Sequence, residues 1–328
     1  MSNLEQLQKE ILSLQPENFE ELTFKVFWYQ YQHNALYKHL VDYWTKNPLK
    51  ISKITQIPCL PVEFFKYHQV MSTSKPIVRV FESSGTTQSQ KSKHHIVDTS
   101  FYIQNAIQIF EQQYGKLTDF HILALLPSYL EQGASSLVFM IEQFMQTSQS
   151  PESGFFLYNH QELRQKLDFL QEKKDRKILL VGVTYALLDF ALAEKIDLSG
   201  VIVMETGGMK GRRKEMIREE VHQILQQQFN VKHIHSEYGM TELLSQAYSQ
   251  GQGIFEMPTP MRIYLRENND PFTTTPHRGL LNIIDLANIA SCSFIATQDV
   301  GELLSPTRFK VLGRADDSDQ RGCNLMIG

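Results

Sequence analysis

The chain has 328 residues, of which 42% are hydrophobic and 21% charged. That is ordinary globular composition, which excludes wholesale disorder, and at roughly 150 residues per domain it suggests two domains or one large one. A formal net charge of −4 gives no global electrostatic reason to bind nucleic acid or an anionic membrane.

Three cysteines, Cys59, Cys292 and Cys323, are too few and too scattered for a disulfide framework or a zinc knuckle, which points to a reducing compartment. The chain opens without the basic flank and apolar core of a signal peptide. No apolar run approaches the roughly 20 residues of a membrane span, so a cytoplasmic protein is expected. From Phe19 to Trp44 apolar residues recur at helical spacing, with Leu36, Tyr37, Leu40, Val41 and Trp44 on one stripe. The prolines of Ile57-Pro58-Cys59-Leu60-Pro61 force an extended segment after it.

From Ile77 the rhythm becomes strands alternating with helices. Strands are expected at Ile77–Phe81, Phe120–Leu126, Ile178–Val183, Val201–Glu205 and Val231–Ile234. Helices are expected at Ser100–Tyr114, Ser135–Met145, Tyr185–Lys195 and Lys214–Phe229. Short, wholly apolar strands between helices predict a largely parallel sheet covered on both faces. After Gly251, short runs at Met261–Arg266, Leu280–Leu286, Ser293–Thr297, Glu302–Leu304 and Phe309–Gly313 predict an antiparallel sheet or small barrel. The expected organisation is a helical cap over 1–75, an α/β core over 76–255, and a β-rich subdomain over 256–328 ending in a short tail with Cys323.

Glu82-Ser83-Ser84-Gly85-Thr86-Thr87-Gln88-Ser89-Gln90-Lys91 places hydroxyls around one glycine directly after a strand, with a lysine behind. Such a segment is either a polar turn or a loop whose amides and hydroxyls wrap a polyanion, Lys91 adding a point charge. It is not a Walker loop, because no Gly-Lys-Ser/Thr follows. Glu237-Tyr238-Gly239-Met240-Thr241-Glu242 has two readings as well. Either Thr241 caps a helix with Glu242 in its first turn, or the ring stacks on a base, Thr241 meets phosphate and Glu242 holds a hard cation. Lys210, Arg212, Arg213, Lys214 and Arg218 read as a solvated basic face. Ser135 lacks the second glycine of a hydrolase elbow and reads as a helix start or pocket wall. His94-His95 and His233-Ile234-His235 lack an evident third metal ligand.

Several of these segments fall in the order of the adenylate-forming superfamily of acyl-CoA synthetases, luciferases and adenylation domains. Ser83, Ser84, Gly85, Thr86 and Thr87 resemble its phosphate loop and Lys91 falls on the loop lysine, while Gln88, Gln90 and Ser92 depart from Gly, Pro and Gly. Tyr238, Gly239, Thr241 and Glu242 match its Tyr-Gly-x-Thr-Glu motif. Gly207-Gly208 resembles the glycine pair beside adenine, Thr297-Gln298-Asp299-Val300-Gly301 the segment whose aspartate takes ribose, and Gly313-Arg314-Ala315-Asp316-Asp317 the hinge. The resemblance implies ATP and Mg²⁺ as cofactors. It gives Tyr238 to adenine, Thr241 to the α-phosphate, Glu242 to Mg²⁺, and Asp299 and Arg314 to ribose, with all these segments converging on one site.

The chain ends at Gly328, soon after Arg314, where superfamily members carry a small C-terminal domain with an adenylation lysine. Cys323 behind the hinge, Leu126-Pro127-Ser128-Tyr129-Leu130-Glu131 and Thr206-Gly207-Gly208-Met209-Lys210-Gly211-Arg212 resemble the LuxE-type acyl-protein synthetases. These lack that domain and transfer an activated fatty acyl group to their own cysteine. The implied fold is α/β with the adenylate-forming N-terminal-domain architecture: a mostly parallel sheet flanked by helices, then an antiparallel β subdomain. The implied function is ATP-dependent activation of a fatty carboxylic acid, transfer to Cys323, and hand-over to an acyl reductase. Lys210 is the cation that would stand in for the missing lysine. The alternatives are a CoA ligase using a free thiol and a non-catalytic nucleotide- or acyl-binding subunit.

Overall fold

The computed structural model describes residues 3–83, 90–126, 133–157, 159–207, 216–268, 270 and 273–315. The chain divides into two units: residues 1–105, 241–245 and 256–328 form the first, and residues 106–240 with 246–255 the second. Among the described residues no helix is long and apolar enough to cross a membrane.

The first unit begins with helices Leu4–Leu12, Phe19–His33 and Ala35–Trp44. The break between the last two falls at Asn34, whose side chain accepts from Tyr37 N at 2.9 Å and so supplies the cap that starts the next helix. Of the sequence-derived stripe, Tyr37 and Val41 are fully buried. Tyr37 stacks on Phe294 at 5.8 Å, and Phe27 meets that ring edge-on.

The strands Met261–Arg266, Arg278–Asp285, Phe294–Ser305 and Arg308–Arg314 pair antiparallel in that order, and Leu60–Pro61 adds in parallel to Ile295–Ala296. Burial alternates along Met261–Arg266, as a sheet with one covered face requires. Sequence periodicity separates Ser293–Thr297 from Glu302–Leu304, but these lie in one strand, which tolerates its polar centre through irregular register near Val300 and Gly301. A hairpin of Arg79–Glu82 with Lys93–Ile96 flanks the phosphate-loop segment.

The second unit holds a parallel sheet in the order Gly154–Phe155, Phe120–Leu125, Lys177–Val183, Ile202–Thr206, His235–Tyr238, with Ala247–Ser249 antiparallel at the far side. Helices Ser136–Ser148, His160–Lys173, Thr184–Ala193 and Arg218–Phe229 intervene. Ser135 caps the first of them, its hydroxyl accepting from Val138 N at 3.4 Å. Phe120–Leu125 is buried at every position, the mark of a strand covered on both faces.

One sequence expectation is corrected here. The last parallel strand is not Val231–Ile234 but His235–Tyr238. Asn230 ends the preceding helix in the left-handed region (φ 52°), and Val231 N bonds back to Gln226 O. The apolar Val231 and Ile234 therefore belong to the connection, and pairing starts only at His235.

Candidate active site

In the first unit the site is built from the hairpin outward. Ser83 N donates to Ser92 O at 3.1 Å, and Ser92 N donates to the Ser83 hydroxyl at 3.0 Å, so two bonds clamp the stem of the phosphate-loop segment. Ser84, Gly85, Thr86 and Thr87 lie outside the described residues. Lys91 faces Glu82, 3.5 Å away, with Lys93 on the other oxygen at 3.9 Å.

Ser92, the residue that departs from the superfamily glycine, is buried, and its hydroxyl acts to lower the pKa of the Glu242 carboxylate. Burial is the largest influence on Glu242 and raises its pKa. Ser92, its own amide and the Arg314 charge act against that, and Asp299 acts with it. Arg314 and Asp299 are opposite one another on the hairpin, 3.8 Å apart. The stem of the loop, the carboxylate assigned to the cation and the two residues assigned to ribose thus act on one another within a single unit.

No helix starts at Thr241. Residues 241–245 form a turn fixed from four sides. His94 Nδ1 donates to Thr241 O at 2.9 Å, Asn288 Nδ2 to Glu242 O at 2.7 Å, and Asn105 Nδ2 to Leu244 O at 2.9 Å. The buried Asp285 accepts from Leu244 N, Ser245 N and the Ser245 hydroxyl. Burial pushes His94 down to about 4, so at neutral pH it is the uncharged tautomer with its proton on Nδ1. Such a turn cannot swing, which is what a preorganised ligand contact needs.

In the second unit Gly207 directly follows strand Ile202–Thr206 and Tyr238 ends its neighbour, Thr206 pairing with Glu237. Gly207 has φ 69°, a conformation that favours glycine; Gly208 and Lys210 lie outside the described residues. Tyr238 is buried with its ring 5.9 Å from Phe255. Gly239 leaves room for the Glu237 carboxyl, with which a Cβ there would overlap.

Two acidic residues that the sequence did not single out stand here. Glu205 accepts from the Thr184 hydroxyl at 2.9 Å and faces Arg218 Nε at 3.3 Å and His222 Nε2 at 3.6 Å. Despite burial, which raises it, its pKa is lowered by His222, Arg218 and Ser236. Arg218 is therefore not part of a solvated basic face; the glutamate closing an apolar strand, with Arg and His four residues apart on the next helix, was the available signal. Glu237 accepts from the Thr206 hydroxyl, and burial pushes it up to about 7, the Glu205 charge adding to the rise. It borders a cavity walled by Phe110, Leu137, Met140, Ile141, Phe144, Leu179, Val181, Met204 and Tyr248.

Cys59 and Cys292 are buried. Burial pushes the Cys59 thiol up to about 12 and raises Cys292 as well, so neither is a ready nucleophile. Cys323 lies outside the described residues. No cluster of three His, Cys, Asp or Glu side chains able to hold a metal occurs among the described residues. A single buried carboxylate such as Glu242 still fits Mg²⁺, which commonly takes one or two protein carboxylates and fills its shell with phosphate oxygens and water.

The fold is that of adenylate-forming enzymes. Similar solved structures include McyG A-PCP complexed with phenylalanyl-adenylate (TM-score 0.51, 16% identity, 86% of this chain and 46% of that one). A long-chain-fatty-acid-CoA ligase from Archaeoglobus fulgidus (TM-score 0.52, 14% identity, 78% and 55%) is another. So is O-succinylbenzoate Coenzyme A Synthetase from Bacillus subtilis in complex with AMP (TM-score 0.51, 14% identity, 75% and 51%). The chain thus spans about half the length of each. No curated protein matches it. The family described as Acyl-protein synthetase, LuxE matches residues 13–328, and over that extent the match establishes that the chain belongs to this family.

Proposed function

We propose that the protein activates a carboxylic acid with ATP and passes the acyl group to Cys323. Supporting this most directly is the joint arrangement of Ser83, Ser92, Glu242, Asp299 and Arg314 in one unit. A clamped phosphate-loop stem, a buried carboxylate and an Asp–Arg pair are the parts an ATP site needs. Family membership and the fold of proteins bound to AMP and to an acyl-type adenylate support the same reading.

In this reading Thr86, Thr87 and Lys91 donate to the phosphates, Tyr238, Gly207, Gly208 and Gly239 border adenine, and Asp299 and Arg314 take the ribose. Thr241 lies at the α-phosphate and Glu242 holds Mg²⁺, which when bound neutralises phosphate charge. An oxygen of the acid attacks the α-phosphorus in line, the bond to the β-phosphate oxygen breaks, and pyrophosphate leaves with that electron pair. Lys210 offsets the charge on the departing pyrophosphate. The Cys323 thiolate then attacks the carbonyl carbon of the acyl-adenylate, AMP leaves, and a thioester remains. Cys323 is the acceptor because the other two thiols are buried and raised in pKa. A fatty acid in the cytoplasm, with an acyl reductase taking the thioester, completes the proposal.

Two measurements test it. Acid-dependent ATP–pyrophosphate exchange is expected across a panel of acids, and its absence with every acid rejects activation. A hydroxylamine-labile acyl label on the protein is expected to vanish in Cys323→Ser while exchange persists. A label that survives Cys323→Ser, or one that forms only on added coenzyme A, rejects the internal acceptor.

A further inference from the structure

His95 Nδ1, Asn288 Oδ1 and Ser291 Oγ are buried without a hydrogen-bond partner among the described residues, and all three residues line one cavity of the first unit. The cavity has about 10 Å³, the space of a single water. We propose that it holds one fixed water bridging these three atoms, and that this water, through Asn288, positions the turn that carries Glu242. The water stands by itself; a Glu242 positioned for a cation rests on the acid-activation reading above.

Three observations carry it. First, the segment that bears Asn288 and Ser291 is firmly held. Both residues are at most 2% exposed. Buried side chains take their carbonyls: Gln30 Nε2 donates to Asn288 O at 2.9 Å and Asn34 Nδ2 to Ser291 O at 3.1 Å. Second, the amide of Asn288 has a fixed sense, because its Nδ2 donates to Glu242 O at 2.7 Å. Its Oδ1 must therefore accept, and a buried acceptor left unmet is costly. Third, Gln8, Asp98 and His94, which also line the cavity, are engaged elsewhere. Asp98 accepts from Gln8 Nε2 at 3.3 Å and Phe101 N at 3.0 Å, and His94 Nδ1 donates to Thr241 O.

A water has the matching capacity. It donates to Asn288 Oδ1 and accepts from the Ser291 hydroxyl. Its other hydrogen or lone pair meets His95 Nδ1, according to the tautomer of the ring. Burial and the Lys93 charge lower the His95 pKa, so that ring is uncharged at neutral pH. A hard cation fits worse, because it takes oxygen ligands and leaves the ring nitrogen unmet. The bridge joins Lys93–Ile96, the strand after the phosphate-loop segment, to the side chain that holds the Glu242 carbonyl.

The test compares the full chain with Ser291→Ala, by crystallography and by urea unfolding. The full chain is expected to show one density peak within about 3.2 Å of all three atoms, lost or displaced in the variant. The variant's unfolding constant is expected to rise about tenfold, as for a lost hydrogen bond, so its urea midpoint falls. The sign decides, because removing a hydroxyl that truly lacked a partner would raise the midpoint. No peak in the full chain, a midpoint unchanged or raised, or a peak that scatters anomalously after a rubidium soak overturns the water. Should Ser291→Ala fail to fold, the density of the full chain still decides. For the positioning, the Mg²⁺ that gives half-maximal ATP–pyrophosphate exchange is expected to rise several-fold in Ser291→Ala, with the rate at saturating Mg²⁺ kept. An unchanged Mg²⁺ requirement overturns the positioning. Exchange absent from the full chain with every acid rejects the activation reading and the positioning with it, while density and midpoint still decide the water.

Discussion

Glu205 and Glu237 stand at the same end of neighbouring parallel strands, one step apart in register, and burial acts on both. Their side chains leave opposite faces of the sheet, because successive residues of a strand alternate. On one face helix Arg218–Phe229 brings Arg218 and His222 to Glu205, and its pKa falls. On the other face Leu179, Val181 and Met204 line a cavity with Glu237, the Thr206 hydroxyl is its one hydrogen-bond partner among the described residues, and its pKa rises. The contrast teaches that depth alone does not set the charge of an acid: the helix that covers it does. One glutamate acts as a fixed anion of the scaffold and the other as a group poised to change state near neutrality.

The comparison can be broken most forcefully at Glu205. Glu205→Gln leaves Arg218 and His222 facing a neutral amide and is expected to cost on the order of 3 kcal/mol, the scale for losing one member of a buried ion pair. Urea unfolding at pH 7 measures it, and an unchanged midpoint would mean that the ion pair does not hold that face.

Glu237→Gln is expected to do the opposite. Burial pushes the folded carboxyl up to about 7 from the ordinary glutamate value of 4.5, so between those limits the native state holds a proton that the unfolded chain has lost. The natural chain therefore loses stability as pH rises through that window and levels off above it. The non-titrating variant should be more stable by on the order of 2 kcal/mol above pH 7, with the gain gone below about pH 4.5. A gain independent of pH would assign the effect to packing.

The smallest effect sharpens the comparison with an exposed acid. His121 bridges the Ser150 hydroxyl at 2.6 Å and Asp175 at 2.8 Å, and this bond, followed by Lys173, lowers Asp175 to about 2. The contribution is complete above the unfolded value of 3.8 and lost as pH falls through about 2. Asp175→Asn should thus melt slightly lower than the natural chain at neutral pH, show a flatter acid limb between pH 4 and 2, and converge with the natural chain below that window.

Much of this was legible in the residues. The apolar runs Phe120–Leu125 and Lys177–Val183 announce covered strands because a strand buried on both faces has no polar alternation. The order of the short motifs announces the family, whose match covers residues 13–328. Strand register was less legible: Ile234 is as buried as any strand residue, yet it lies in a connection, since burial and ladder pairing are separate properties. Glu205, Glu237 and Ser92 were not legible as site residues. A glutamate at a strand end looks solvated until the covering helices are known, and Ser92 looks only like a missing glycine until its hydroxyl is seen to act on Glu242.

The inaccessibility of Cys59 and Cys292 has a practical consequence for chemistry on the intact molecule. Brief alkylation by iodoacetamide without denaturant should spare both, and urea should release them. Any adduct that intact-mass spectrometry finds on the folded chain is then expected on Cys323, and under the proposed function a preincubation with ATP and an acid should suppress it.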